Sequence, residues 1–174
     1  PKPSPILSLF SFLYKKENVG FTLQFDDAPS EPIEVEHRAG APSYKADVNV
    51  NEPNISTLDS EYQLIEVPLE AIAWGRSGDK GNKANIGIIA RHPNLLPYIW
   101  DTFSEEKIVE IFSHFLENDK IDRHYLPGIS GVNFVLHDVL GGGGTTSLRN
   151  DPQGKGYAQV LLSCKIKVPK NLLV

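Results

Sequence analysis

The sequence lacks the features that mark several large classes of protein. A single cysteine, Cys164, occurs in 174 residues, and there is no methionine. An internal disulfide is therefore impossible, and a reducing compartment such as the cytoplasm is expected. The net charge of −5 disfavours a nucleic-acid interface, which needs a basic surface. No apolar run approaches the ~20 residues that cross a bilayer. We therefore expect a cytoplasmic protein that binds neither nucleic acid nor a membrane.

The common motifs of metal, nucleotide and nucleophile chemistry are also missing from the sequence. It contains no phosphate loop of the G-x-x-x-x-G-K-[ST] type and no G-x-S-x-G nucleophile elbow. Its five histidines have no metal-ligand spacing, so we predict neither a metal nor a cofactor. Cys164 lies in the strand-like run "VLLSCKIKV" and is expected to be a buried or half-buried structural thiol.

The first third of the chain divides into a β-rich part and a connector. In residues 1–27, "SPILSLFSFLYKK" and "VGFTLQFDD" predict the two strands of a β-hairpin, with Phe21, Leu23 and Phe25 on one apolar face. We interpret this hairpin as the tail of a preceding domain, because an isolated hairpin is only marginally stable. Residues 28–60 contain four prolines and little periodicity, which is typical of a connector.

Residues 61–174 predict a compact α+β domain. "YQLIEVPLEAIAWGRS" and "ANIGIIAR" are strand-like, and Pro68 marks an edge or a break in the first of these runs. The stretch 92–118 is predicted to be helical. A capping residue stands at Thr102 or at Ser104, and an apolar stripe at helical spacing follows it.

The last part of this domain predicts a second helix and a final hairpin. Apolar residues in the segment 131–140 recur at helical spacing, and Gly141 is a natural end for a helix. The residues in this stripe are Val132, Val135, Leu136, Val139 and Leu140. The remaining sequence predicts a hairpin about a turn at Asp151–Gly154. Helices on one face of a largely antiparallel sheet make the predicted fold an α+β sandwich.

Two glycine-rich loops carry the polar side chains that suit an anion. We interpret Gly75–Asn85 as a loop between two strands and Gly141–Arg149 as a loop after a helix. Glycines let the backbone approach a ligand, and successive N–H groups can hold an anion. We predict that the two loops face each other at one end of the sheet and bind a carboxylate or phosphate. The candidate ligand-binding residues are Arg76, Ser77, Lys80, Asn82, Asn85, Gly143, Gly144, Thr145, Thr146, Ser147 and Arg149.

The presence of Asp79 leaves alternatives to an anion site open, because its carboxylate would repel a bound anion unless a cation pairs with the carboxylate. In one alternative, Asp79 and an arginine form a clasp that only pins the two loops together. In another, Asp79 is the general base of an enzyme. In a third, the stretch Gly75–Asn85 is only a hairpin loop.

Several separated blocks of the sequence resemble a known family. "RSGDKGNKANIGIIAR", "YLPGISGVNFVLHDVLGGGGTTSLRNDPQGKGYAQVLL" and "IKVP" resemble the C-terminal, AtuA-like domain of the acyclic terpene utilisation protein family. The resemblance covers roughly residues 64–169, and the opening "PKPSPILSLFSFLYKK" resembles the end of that family's larger N-terminal domain. It implies a ferredoxin-like fold and a role in the breakdown of acyclic terpenes through CoA thioesters. It transfers no catalytic residue.

Three functions are compatible with these residues and this resemblance. In the first, the chain is the C-terminal domain of an AtuA-like protein that binds a small anionic ligand or helps the parent protein to assemble. In the second, it is an enzyme domain that acts on a carboxylate or acyl-CoA-like substrate with Asp79 as the base. In the third, it is a purely structural oligomerisation module. The expected partners are a small anionic or CoA-linked ligand, the N-terminal domain of the parent protein and further copies of the chain.

Overall fold

The computed structural model of the chain describes residues 10, 12–34, 51–54 and 63–173. The chain forms two compact units, of which the smaller spans Phe10–Asn49 and the larger contains Val50–Val174. Most of the predicted upstream strand of the first hairpin lies outside the described residues, as does the predicted domain start at residue 61. None of the helices in the described part of the chain is long and apolar enough to cross a membrane.

The described residues form eight strands and three α-helices, linked by turns and short 3-10 helices. The strands are β1 (Phe21–Leu23), β2 (Glu31–Ile33), β3 (Leu64–Pro68), β4 (Ala73–Lys80), β5 (Lys83–Ala90), β6 (Ile121–Leu126), β7 (Gly131–Leu136) and β8 (Lys165–Pro169). The α-helices are α1 (Leu96–Thr102), α2 (Glu105–Phe112) and α3 (Tyr157–Ser163).

In the smaller unit, β1 pairs with β2 in an antiparallel hairpin, in which Phe21 lies opposite Ile33. The partner that the structure describes for β1 therefore lies downstream, whereas the predicted pairing with the upstream run concerns residues that lie mostly outside the described part of the chain. The chain reverses at Asp26, which has a φ of 48°, and Ala28 closes the turn on the carbonyl of Phe25. The turn spans residues 26–28, at the predicted boundary between the β-rich part and the connector.

The larger unit is built on a four-stranded antiparallel sheet in the order β4-β5-β7-β6. The core lies between the helices and one face of this sheet, where Ile86, Phe134 and Phe112 are fully buried. A second, two-stranded sheet joins β3 to β8. The predicted α+β class, with a largely antiparallel sheet, is confirmed.

Pro68 ends β3, as the sequence predicts, and a 3-10 helix at Leu69–Ala71 leads from it into β4. Ser104 is the N-cap of helix α2, and its Oγ accepts a hydrogen bond of 3.2 Å from the backbone N–H of Lys107. The later of the two predicted starts is therefore correct. Thr102 is instead the last residue of α1, so the predicted helical stretch contains two helices.

The stretch from Gly75 to Asn85 is not a loop. It consists of most of β4 and the start of β5, joined by the two-residue turn Gly81–Asn82. Gly81 has a φ of 67° and Asn82 does not have a positive φ, as in a type II′ hairpin turn. Glycine is needed at position 75 for packing, because a Cβ there would lie 2.9 Å from the Ile88 side chain and 3.1 Å from that of Leu162 in α3. The glycines of this stretch predicted a loop, whereas they serve close packing and a tight hairpin turn.

The predicted helix at 131–140 is wrong, because this segment contains the central strand β7. Val132, Phe134 and Leu136 are buried on the core face, whereas Val135 is only half-buried on the opposite face. The apolar residues of this segment fit both the helical spacing and the alternation of a strand. Hydrogen bonding to strands on both sides decides between them, and no local pattern shows such pairing.

The predicted C-terminal hairpin is also wrong. The turn at Asp151–Gly154 forms, with a hydrogen bond of 3.2 Å between its ends, but helix α3 follows it. The side chain of Asp151 holds the turn that leads into this helix, since its two carboxylate oxygens accept hydrogen bonds of 2.9 and 2.8 Å from the backbone N–H groups of Lys155 and Gly156. Cys164 therefore follows a helix rather than lying in a strand. It is half-buried, as predicted.

Candidate functional site

The hairpin turn and the glycine-rich loop meet at one end of the four-stranded sheet. The backbone carbonyl of Asn82 accepts a hydrogen bond of 3.0 Å from Val139, and its side-chain Oδ1 accepts one of 2.7 Å from the N–H of Gly142. Gly143 is buried against the carbonyl of Gly81, and a Cβ at this position would overlap that oxygen. The prediction that these two parts of the chain face each other is confirmed.

The centre of this junction is occupied by a carboxylate of the protein itself. Asp138 accepts hydrogen bonds from the side-chain amides of Asn82, at 3.1 Å, and Asn118, at 2.8 Å. The N–H of Gly142, which an anion would need, is already bonded to Asn82. Asn82 and Asp138 therefore form the clasp that joins the two parts of the chain.

The predicted ligand-binding residues are distributed over different surfaces. Ser77 is buried on the helix side, where its Oγ donates to the carbonyl of Lys155 at 3.1 Å and accepts from the N–H of Ala158 at 2.9 Å. These bonds hold the start of α3 against β4. Arg149 also lies on the helix side, and its Nη1 donates to the carbonyls of Phe115, at 2.9 Å, and Val139.

The remaining candidates lie at the sheet end or on the opposite face of the sheet. Arg76 is exposed on β4, and the amide of Asn85 donates to Asn133 at 3.3 Å. Asp79 is half-buried on β4, and its backbone carbonyl accepts a hydrogen bond of 2.8 Å from Lys80 Nζ. The candidates at the sheet end are Lys80, Asn82, Gly143, Gly144, Thr145, Thr146 and Ser147. The structure thus brings part of the predicted set together at the sheet end, while Arg76, Ser77, Asn85 and Arg149 lie elsewhere.

The sheet face opposite the helices, which we call the open face, carries an exposed apolar surface. The strand register sets its side chains in rows across the sheet. The first row consists of Trp74, Ile89, Gly131 and Leu126, the second of Arg76, Gly87, Asn133 and His124, and the third of Gly78, Asn85, Val135 and Asp122. Trp74 is 54% exposed, Ile89 and Leu126 are each 38% exposed, and the neighbouring Ile129 is 53% exposed.

These exposed side chains line a shallow groove of about 240 Å³ on the open face. The guanidinium of Arg91 lies 4.6 Å from the centre of the Trp74 ring, which fixes the indole on its strand. The middle of the open face is flat, because Gly87 has no side chain. The sequence alone did not indicate this surface, because its members come from three strands and become neighbours only through the register.

The buried side chain of His137 lies at one end of the open face. His137 Nε2 lies 2.6 Å from Asp122 Oδ2, and the backbone N–H of His137 bonds to the carbonyl of Lys120 at 3.1 Å. The hydrogen bond from His137 lowers the pKa of Asp122 below its ordinary value. Among the described residues, no group of three or more His, Cys, Asp or Glu side chains is placed to hold a metal ion.

The model of one protein family, the AtuA ferredoxin-like domain, matches residues 67–167 of the chain. The chain belongs to this family. The resemblance found in the sequence and the predicted ferredoxin-like fold are thereby confirmed. No curated protein and no solved structure gives a significant match.

The two ends of the matched region lie side by side in the AtuA ferredoxin-like domain. Residue Val67 in β3 pairs with Ile166 in β8, next to the last matched residue, Lys167. The two-stranded sheet therefore closes the domain. The open face and the clasp both lie within the matched region.

Proposed function

We propose that this AtuA ferredoxin-like domain is an assembly domain that binds a second copy of the chain through the open face. The apolar first row of that face, with Trp74 at its edge, is the observation that carries the proposal. Contiguous exposed apolar surface of this kind marks interaction sites, and tryptophan and arginine are enriched among the residues that dominate binding energy. In the parent protein, such assembly would serve the breakdown of acyclic terpenes or CoA-linked acyl compounds that the family resemblance implies.

The order of the strands makes the open face suitable for a two-fold partner. Two sheets that pack face to face lie ~10 Å apart with nearly aligned strands. A two-fold axis parallel to the strands would place β4 of one copy over β6 of the other, and Trp74 over the partner's Leu126. The apolar rows of the two copies would then bury each other.

The positions of the charged side chains also support a two-fold axis parallel to the strands. Arg76 on β4 would face the β6 edge of the partner, where Asp122 is offset by one row, or about 7 Å along the strand. An arginine side chain spans that distance, and the contact would form twice in an isologous dimer. A two-fold axis perpendicular to the strands through the middle of the face would instead place the apolar row over Asn85 and Asp122.

Gly87 supports close approach of the partner. It lies in the middle of the second row, and the space where its Cβ would stand is bordered by Asn133 Oδ1 at 3.8 Å. A side chain from the facing sheet can enter this space without displacing another side chain.

Sedimentation velocity of the full chain tests the proposal. We expect the wild type to dimerise reversibly and Trp74→Asp to raise the dissociation constant by at least about tenfold, which corresponds to about 1.4 kcal/mol. Leu148→Asp is the matched control, because Leu148 is fully exposed elsewhere on the domain. A monomeric wild type, or equal effects of the two substitutions, would contradict the proposal.

A further inference from the structure

A cleft of about 530 Å³ lies on the helix side of the domain, away from the open face. It is bordered by the residues that follow α2, by the segment 148–151 and by the start of α3. Small-molecule sites commonly have volumes of ~300–1,000 Å³, so the cleft is large enough for a ligand of one or two rings.

The floor of the cleft is a stack of aromatic rings. The ring of Phe115 lies 5.1 Å from that of Tyr157 at an angle of 24°, and Tyr157 in turn stacks on Phe112 at 5.4 Å. The imidazole of His114 lies beside this stack, 4.0 Å from the Phe115 ring and tilted by 41° from it. The hydroxyl of Tyr157 donates to the carbonyl of Val139 at 3.1 Å, which fixes its ring. A flat ligand can extend this stack at low entropic cost, because the rings are held in place before it binds.

One wall of the cleft carries a fixed positive charge. Arg149 lines the cleft, and its Nη1 is tied to the carbonyls of Phe115 and Val139. Its Nη2 forms a long ion pair of 4.0 Å with the exposed Glu117, which offsets the guanidinium charge only in part. The guanidinium is therefore preorganised beside the aromatic floor.

Asp151, the acidic residue that lines the cleft, has its carboxylate oxygens engaged by the backbone. Both carboxylate oxygens of Asp151 accept backbone hydrogen bonds at the start of α3. The rim is apolar, since Leu148 is fully exposed and Val160 is 38% exposed. The site thus combines an aromatic floor, an apolar rim and one fixed cation.

From this arrangement we infer that the cleft binds a planar aromatic or conjugated carboxylate. The rings of the ligand stack on the aromatic floor beside Phe115, and its carboxylate bonds to the guanidinium of Arg149. This site is separate from the open face, so it does not depend on the proposed assembly role.

Nuclear magnetic resonance titration of the full chain with 2-naphthoate tests the inference. We expect saturable amide shifts at Leu148, Arg149 and Val160. The neutral analogue 2-naphthalenemethanol should bind at least about tenfold more weakly, because it lacks the charge that Arg149 recognises. Equal binding of the two probes, shifts confined to the open face around Trp74, or no saturable binding would overturn the inference.

A matched pair of variants separates the cleft from general apolar binding. Val160→Glu introduces a carboxylate at the rim of the cleft and should abolish naphthoate binding, whereas Val160→Gln, of nearly the same size, should retain it. Val160 is exposed enough for the fold to persist in both variants, which thermal unfolding checks. Equal loss of naphthoate binding in both variants, or naphthoate binding retained in both, would contradict a site that recognises charge.

Discussion

At the scale of single residues, the glycine-rich loop is explained by close approach rather than by a ligand. Gly143 has a φ of 70° and its missing side chain makes room for the carbonyl of Gly81. Asn82 then reaches the N–H of Gly142 and the carboxylate of Asp138. The glycines in this part of the chain therefore allow two segments distant in sequence to be hydrogen-bonded together.

Two neighbouring glycines provide a matched test of this explanation. Gly144 also has a positive φ, of 51°, but nothing lies within 4 Å of its Cβ position. We expect Gly144→Ala to cost about 1 kcal/mol of unfolding free energy, from backbone strain alone. Gly143→Ala should cost at least about 2 kcal/mol more, because the loop must move away from Gly81. Urea unfolding measures both, and equal losses would show that the contact is unimportant.

The pair of Asp122 and His137 predicts how stability depends on pH. An ionised carboxylate only accepts hydrogen bonds, so His137 Nε2 donates, and the pKa of Asp122 is held below its ordinary value of about 3.8. A lowered pKa means that the stabilisation is fully present above the ordinary value and is lost as the pH falls through the folded value.

We therefore expect the difference in unfolding free energy between wild type and Asp122→Asn to shrink as the pH falls below about 4. Denaturant unfolding between neutral pH and pH 3 measures this difference. Asp101→Asn, at an exposed position of α1, is the control for removal of one carboxylate. A difference that grows or stays constant toward low pH would show that the pair does not act as described.

At the scale of elements, strand β7 shows why one part of the chain was assigned to the wrong structure. Its apolar residues satisfy helical spacing, but alternate residues Val132, Phe134 and Leu136 are the ones buried in the core. The strand is central, and both of its neighbours supply hydrogen bonds that local sequence does not reveal. Helix α3 was missed because the residues that follow the turn at Asp151–Gly154 were interpreted as the second strand of a hairpin.

Substitutions on the two faces of β7 distinguish strand from helix. Val132 is completely buried in the core, so Val132→Asp should cost several kcal/mol by burying an unpaired charge. Val135 lies half-buried on the open face, so Val135→Asp should cost clearly less. Thermal unfolding at low protein concentration compares the two. A larger loss for Val135→Asp would favour the helical assignment over the strand.

At the scale of the whole molecule, the sequence predicted the fold class and the family but not the surface on which the proposed function depends. The α+β class followed from alternating strand and helix patterns, and separated motifs carried the resemblance. The open face was missed because Trp74, Ile89 and Leu126 stand far apart in sequence and only the register of β4, β5, β7 and β6 makes them one row. The predicted ligand-binding residues do not form one cluster, because polarity alone did not show that the Ser77 side chain holds the start of α3 on the helix side of the sheet.

The most direct test of assembly through the open face is cross-linking between two single-cysteine variants. In a Cys164→Ser background, Arg76→Cys and His124→Cys place thiols on opposite edges of the second row. In the proposed dimer, each thiol faces the other position across ~10 Å, whereas like positions are separated by a further three strand spacings, or about 14 Å. A short bis-maleimide should therefore cross-link a mixture of the two variants much more efficiently than either variant alone. Equal cross-linking in the mixture and in the separate variants, or none in either, would contradict the two-fold assembly.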